Sequence, residues 1–324
     1  MFSRKFRIDA APDAVQQILP KGKNQRFEGV AFSSDGAVLG AATADTDQVH
    51  LFRRRPDGKF ESNAYATIGG LKYPHDVAFG KSGRMDLLAV AERGGAISIY
   101  EERAGRVFGP AASCAIDGPD ARLSHTDGVA FVPPYNDCIA ACNLLTGTVS
   151  FYSQTSIAPI RFAVAPELEL SHVSMNNPDG LAFCVDGRFL AVANHGAHSI
   201  SVFERRGRAV RAKTPTYGPE PVAVIKDDPD LRHTHSVAFT DGGHLIATSA
   251  GANFFCVYRT RTGWLRHTVE PKRVHRQMVA DEDVFREINI HNKMEGGPKG
   301  VAVHGRTLAV CSPEIGIKVY SFHG

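Results

Sequence analysis

One short block recurs six times along this 324-residue chain: EGVAF from Glu28, HDVAF from His75, DGVAF from Asp127, DGLAF from Asp179, HSVAF from His235 and KGVAV from Lys299. The intervals are 47, 52, 52, 56 and 64 residues. A period of this size marks a repeat architecture, in which no single unit can bury its own apolar faces. Most blocks run into a turn carrying glycine, as in SSDG (33–36), KSG (81–83), VDG (185–187) and TDGG (240–243). A second apolar strand follows, then an alternating third strand ending in an aromatic, such as QVHLF, AISIY, TVSFY or SISVF. Asp-Gly pairs supply the positive φ that tight hairpins require.

Each unit therefore reads as three antiparallel strands plus a more variable fourth, as in PEPVAVIKD (219–227) or GWLRHTVE (263–270). Six such sheets packed face to face around an axis bury both faces of each. The predicted fold is all-β: a six-bladed β-propeller of four-stranded antiparallel blades, one domain over 1–324. The last repeat ends at its third strand, so the N-terminal 20 residues are expected to supply the fourth and close the ring. The long last interval holds an insertion, 271–297, where Val279, Val284 and Ile288 with early acidic residues predict a short amphipathic helix. It immediately precedes the sixth inner strand, and so is either a lid over the central opening or a surface insertion.

Charge excludes some partners. The 37 Lys+Arg against 34 Asp+Glu give +3, too balanced for a nucleic-acid or membrane partner. The basic clusters 53–55 and 205–208 fall at outer hairpins, not on one stripe. No apolar run approaches the roughly 18 residues of a membrane span, and the N-terminus lacks the apolar block of a secretory signal. A cytoplasmic location is expected. The six cysteines lie mostly in apolar strand-like runs, without C-x-x-C, and are expected to be buried free thiols.

The repeat also predicts where chemistry converges. In a propeller the first strand of every blade lines the axis and all start on one face. Their first residues form a ring: Glu28, His75, Asp127, Asp179, His235 and Lys299. The ends of the second strands, Thr43, Glu92, Asn143, Asn194, Ser249 and Ser312, are expected at the same mouth. In a six-fold circle Glu28 faces Asp179, His75 faces His235, and Asp127 faces Lys299 as a candidate salt bridge. Carboxylates across a narrow channel call for a cation, a proton or Lys299 between them. Glu28, Asp127 and Asp179 with the amides of Asn143 and Asn194 form an oxygen set for Ca²⁺, Mg²⁺ or Mn²⁺. Histidines shift the preference toward Mn²⁺ or Zn²⁺. Candidate general bases are His75, His235, His125 and His233; candidate substrate contacts are Glu92, Lys299, Ser249 and Ser312.

These blocks resemble the six-bladed superfamily of SMP-30/gluconolactonase/paraoxonase-like hydrolases, with NHL and YVTN/lactonase propellers as relatives. Glu28 in EGVAF is similar to the Glu that opens that family's first inner strand. Thr126-Asp127-Gly128 resembles its N-D-G block, and Pro178-Asp179-Gly180-Leu181 its P-N-G-L block. The family's metal-binding Asp falls on His235, and its Asn on Asp179. The resemblance implies a divalent-metal-assisted hydrolase acting on a small lactone or ester. Two other readings stand beside it: a non-catalytic propeller binding a protein or small ligand on the same face, and a metal-assisted lyase in which a His abstracts a carbon-bound proton. G-x-S-x-G, H-E-x-x-H and G-x-G-x-x-G are absent from the sequence, which removes the usual support for serine-esterase, zincin and dinucleotide readings.

Overall fold

The computed structural model describes residues 6–9, 14–19, 26–103, 105–211, 213–259, 271–291, 295–313 and 315–323. Six antiparallel sheets follow one another along the chain. Their inner strands are Phe27–Phe32, Pro74–Ser82, Thr126–Phe131, Pro178–Phe183, Thr234–Phe239 and Val301–His304. Each pairs with the second strand of its blade, which pairs with the third. This is the six-bladed propeller that the repeat predicts.

Alternation explains how the blades hold together. Along the second strand of blade 2 (Met85–Glu92), Leu87, Ala89 and Ala91 pack toward blade 3, whereas Leu88 and Val90 pack toward blade 1. With side chains alternating between faces, a strand apolar on both faces belongs between two sheets. The same holds around the circle: six of the apolar clusters each join one pair of adjacent blades, the sixth and first included. The aromatic ends of third strands sit in these seams, where fully buried Tyr152 donates its hydroxyl to the Ala121 carbonyl at 2.6 Å.

The ring closes as expected. Arg7–Asp9 and Gln16–Ile18 both pair antiparallel with the last strand, Gly316–His323. Blade 5 departs from the sequence reading. Its fourth strand is Lys272–Met278, paired with Phe254–Arg259, so the first part of the supposed insertion belongs to the blade. The segment 263–270 and Trp264 lie outside the described residues. The helix is shorter than its segment, Glu282–His291, and begins where Asp281 accepts the Asp283 N–H at 2.9 Å. Val279 precedes the helix, so the helical spacing was counted across two elements. Val284 is 46% exposed, and it is Phe285 that packs against Ala280 and Ile315. The six cysteines are free, and among the described residues no helix is long and apolar enough to cross a membrane.

Candidate metal centre and channel mouth

Every ring position sits at an interruption of regular pairing or beside one. In blades 1 to 5 the register between inner and second strands slips at the ring residue, as between Phe27 and Gly29 or between Pro178 and Leu181. A bulge of this kind re-aims a side chain, here toward the axis. The next position is glycine in four of the six blades because inner strands converge there. A Cβ on Gly29 would lie 2.7 Å from the His75 carbonyl, and one on Gly180 2.5 Å from the His235 carbonyl. The two exceptions, Asp76 and Ser236, occupy opposite blades.

The six ring side chains are buried together. Glu28, His75, Asp127, Asp179 and His235 line one axial cavity of about 10 Å³, with Asp76 and Ser236 at its base. That volume accommodates a single water or ion and nothing larger. The imidazoles of His75 and His235 stack with centroids 5.0 Å apart. Glu28 Oε2 stands 3.7 Å from His75 Nε2 and 3.5 Å from His235 Nε2, too long for hydrogen bonds. Asp179 Oδ1 lies 3.8 Å from His75 Nδ1 and 3.7 Å from His235 Nδ1. Two groups thus offer ligand atoms around common points: Glu28, His75 and His235; and His75, Asp127 and Asp179.

Counter-charges surround the ring, and pairing does not follow the expected diameters. Lys299 Nζ contacts Glu28 Oε2 at 2.7 Å and Glu295 at 2.9 Å. Asp127 instead takes a bidentate fork from Arg93, at 2.6 and 2.8 Å. Arg26 Nε lies 2.7 Å from Glu28 Oε1. Burial alone would raise the Glu28 carboxyl, yet Lys299 foremost, then the imidazoles, hold it well below the usual carboxylate range. Burial, joined by the Asp127 charge, pushes Asp179 well above that range. Burial lowers His75 well below its ordinary value and, against the pull of Glu28, lowers His235 to about 4. Asp76, facing the cavity from below, is raised by burial to about 7.

The metal fit can be tested on the free atoms. His75 Nδ1 lies 3.3 Å from the Asp127 carbonyl, which only accepts, so Nδ1 carries the proton and Nε2 presents its lone pair. The Nε2 atoms of His75 and His235 are buried without a hydrogen-bond partner. Two ligands bound at about 2.0–2.1 Å in a tetrahedral site lie about 3.3 Å apart. The 3.5 and 3.7 Å separations of Glu28 from the imidazoles are near that spacing. Two imidazoles and a carboxylate suit a borderline ion such as Zn²⁺ or Mn²⁺ better than Ca²⁺.

The second-strand ends occupy other positions. Asn143 accepts the Ser124 N–H at 3.1 Å and donates to Ser150 at 2.9 Å. Asn194 donates to Ser201 at 3.0 Å. Glu92 accepts from Lys72 N–H at 2.6 Å and from Ser98 at 2.5 Å. Ser249 bonds both backbone groups of Arg232, and Ser312 reaches the Gly297 carbonyl at 3.4 Å. Most of these groups fasten the connection that enters their own inner strand, and none lines the axial cavity.

The sequence reading singled out His125 and His233 above the ring but missed Tyr73 and Asn177, which complete a second layer with them. Tyr73, His125, Asn177 and His233, each two residues before a ring position, have φ of 58°, 48°, 51° and 52°. Left-handed conformations cost non-glycine residues about 1–3 kcal/mol and persist where the surroundings impose them. Here the carbonyl of each accepts a backbone N–H from the turn after the second strand, from Arg93, Leu144, His195 and Ala250 respectively. His125 is exposed. His233 packs between His195 and His198, each with centroids at 4.6 Å, and its Nδ1 has no partner. Glu295, downstream of the helix, reaches His195 at 3.2 Å. Below the ring, a bore of about 240 Å³ runs between the inner strands past Asp76 and Ser236.

No protein-family model matches the chain, and no curated protein matches it in sequence. Its fold has many solved counterparts. A protein from Bacteroides fragilis, provisionally named as a 6-phosphogluconolactonase, superimposes with TM-score 0.61 at 14% identity, covering 94% of this chain and 90% of that one. The RRP9 WD40 repeats give TM-score 0.61 at 11% identity, covering 98% and 100%. The β-propeller domain of Cps50 (Swd1) from Myceliophteria thermophila gives 0.59 at 13%, covering 93% and 85%. These likenesses establish the propeller fold, shared by lactonase-like and WD40 proteins.

Proposed function

We propose that the protein is a divalent-metal-assisted hydrolase of a small lactone or ester, with its metal held on the axis by Glu28, His75 and His235. The observation that carries this reading is the convergence of two buried imidazole nitrogens, both without a hydrogen-bond partner, on one carboxylate oxygen. A divalent ion bound there supplies a Lewis acid for a carbonyl and lowers the pKa of a bound water. The chain's own groups do the rest. Asp179 lies 3.8 and 3.7 Å from Nδ1 of the two imidazoles, behind the proposed ligand atoms. Arg93 fixes Asp127, whose carbonyl fixes the His75 tautomer. Lys299 also uses the Glu28 oxygen, and its second partner Glu295 receives the ammonium when that oxygen is taken. At the mouth, His233 has a lowered pKa, chiefly from burial, and so is neutral at pH 7 with a free Nδ1 able to accept a proton.

A second reading, a non-catalytic propeller that binds a small ligand or a protein at the same mouth, is favoured by one specific observation. The pairs Lys299–Glu28 and Arg93–Asp127 already neutralise two carboxylates without an ion. Metal analysis of protein purified without added metal, then a lactone and ester panel with and without chelator, separates the two. Near-stoichiometric Zn²⁺ or Mn²⁺, lost together with turnover in His235→Gln and His75→Gln, supports the hydrolase. Folded protein with no metal and no turnover leaves the binding module.

A further inference from the structure

The axial cavity of about 10 Å³ has no room for the organic part of a substrate. A groove of about 530 Å³ does, lined by Asp47, Leu71, Lys72, Tyr73, Arg93 and His125. Its Arg93 is the residue that binds Asp127 of the ring, which links the groove to the centre.

Its chemistry is asymmetric. The one carboxylate, Asp47, already accepts the Tyr73 N–H at 2.8 Å. Arg93 binds Asp127 through Nε and Nη2, and among the described residues no acid is bound to its Nη1. Lys72 is exposed, and among the described residues its ammonium has no carboxylate within ion-pair distance. His125 adds a third nitrogen head, exposed at the opposite side. Tyr73 presents its ring, with the Arg93 guanidinium 5.4 Å from the centroid, and Leu71 an apolar floor. Two cations with unused donor capacity, an aromatic face and one engaged acid complement a small organic anion with a flat or apolar body.

We propose that this groove on blade 2 binds the carboxylate or phosphate group of an anionic ligand, with Lys72 and Arg93 as its charge partners. As a statement about substrate it rests on the hydrolase reading, and makes the preferred ester or lactone an anionic one. As a binding site it stands independently of the metal.

The test uses untagged protein in chelator, with calorimetric titration of benzoate and phenyl phosphate as anionic probes and benzyl alcohol as the neutral one. At least one anion binds and benzyl alcohol does not. Lys72→Met weakens the anion about tenfold, as expected for one charge-assisted hydrogen bond, whereas the remote control Lys226→Met leaves it unchanged. Which probe binds distinguishes carboxylate from phosphate. Anion affinity unaltered in Lys72→Met, or no binding of either anion, overturns the proposal. With metal restored, hydrolysis of 4-carboxyphenyl acetate is compared with that of phenyl acetate. Anion binding lost in Lys72→Met without turnover of either ester keeps the groove and ends the hydrolase reading. Equal turnover of both esters, unaffected by Lys72→Met, keeps the hydrolase and ends the groove as its substrate subsite.

Discussion

Replacing Glu28 by Gln takes the shared partner from Lys299, a cation 2% exposed, and leaves it only Glu295. Removing one member of a buried ion pair costs about 3–5 kcal/mol, because the survivor stays desolvated and uncompensated. The remaining Glu295 contact at 2.9 Å places this variant near the lower end, about 3 kcal/mol. Lys299→Met leaves Glu28 with Arg26 at 2.7 Å and is expected to cost a similar amount. In the double variant neither buried charge of this pair remains: Arg26 is partly exposed and has Asp45 at 3.7 Å, and Glu295 retains His195. The double variant is therefore expected to cost about as much as either single one, giving a coupling energy of about 3 kcal/mol. The assay is urea unfolding in chelator by fluorescence and circular dichroism, with coincident transitions required before free energies are compared. Repeating it with Zn²⁺ extends the test: an ion on Glu28 takes over the role of Lys299, so the Lys299→Met penalty shrinks. Strictly additive losses, or single variants costing under about 1 kcal/mol, would refute a coupled buried pair.

Two further outcomes follow from the same centre. His235 titrates at about 4 in the native protein against an ordinary 6.5, so its contribution to stability is present above pH 6.5 and lost as pH falls toward 4. The difference corresponds to about 3 kcal/mol, and in chelator the unfolding free energy of His235→Gln should fall less over that window than that of the wild type; parallel curves would exclude His235 as a buried neutral group. Gly180→Ala puts a Cβ 2.5 Å from the His235 carbonyl and 2.7 Å from the Ser236 Cα. Neither backbone atom yields easily, so a loss of about 1–3 kcal/mol is expected by thermal unfolding, and a neutral result would mean that the inner strands are not in close contact there.

The fold was readable because the repeat encodes it locally: the VAF-type strand, the glycine turn and the aromatic-ended third strand recur in sequence register. The ring was readable for the same reason, since equivalent positions in equivalent blades meet at one axis. The second-strand ends were misjudged as axial neighbours by one residue of pairing. Asn143 pairs with Thr126, Asn194 with Pro178 and Ser249 with Thr234, each the residue before a ring position. Along a strand one residue changes the face, and the bulge that re-aims the ring side chains leaves no mark in composition. Arg26, Arg93 and Glu295 were missed because each meets its partner across blades or from a connection, through ring packing that has no sequence period. One signal was available: the residue two before each block is Arg26, Tyr73, His125, Asn177 or His233, polar or aromatic every time until Gly297.

The counter-charges also say which member of the ring is distinctive. Glu28 has Lys299 and Arg26, Asp127 has Arg93, and Glu295 has Lys299 and His195. Among the described residues, the ion-pair contacts of Asp179 are the two imidazoles, themselves lowered by burial and neutral at pH 7. Burial, then the Asp127 charge, outweighs the more distant Arg93 and Lys299 and favours the protonated carboxyl of Asp179. Burial and the Asp127 charge disfavour the ionised form, so native stability tied to Asp179 is fully present below the ordinary carboxylate range and is lost as pH rises through its raised value. A divalent ion on Glu28, His75 and His235 supplies the missing positive charge and draws that proton off. Metal affinity should then increase with pH through the range where Asp179 titrates, and Asp179→Asn should flatten that dependence while leaving the three ligand side chains in place. Titration of Zn²⁺ against a competing chelator at several pH values measures both, and an unchanged slope in Asp179→Asn would place the released proton elsewhere.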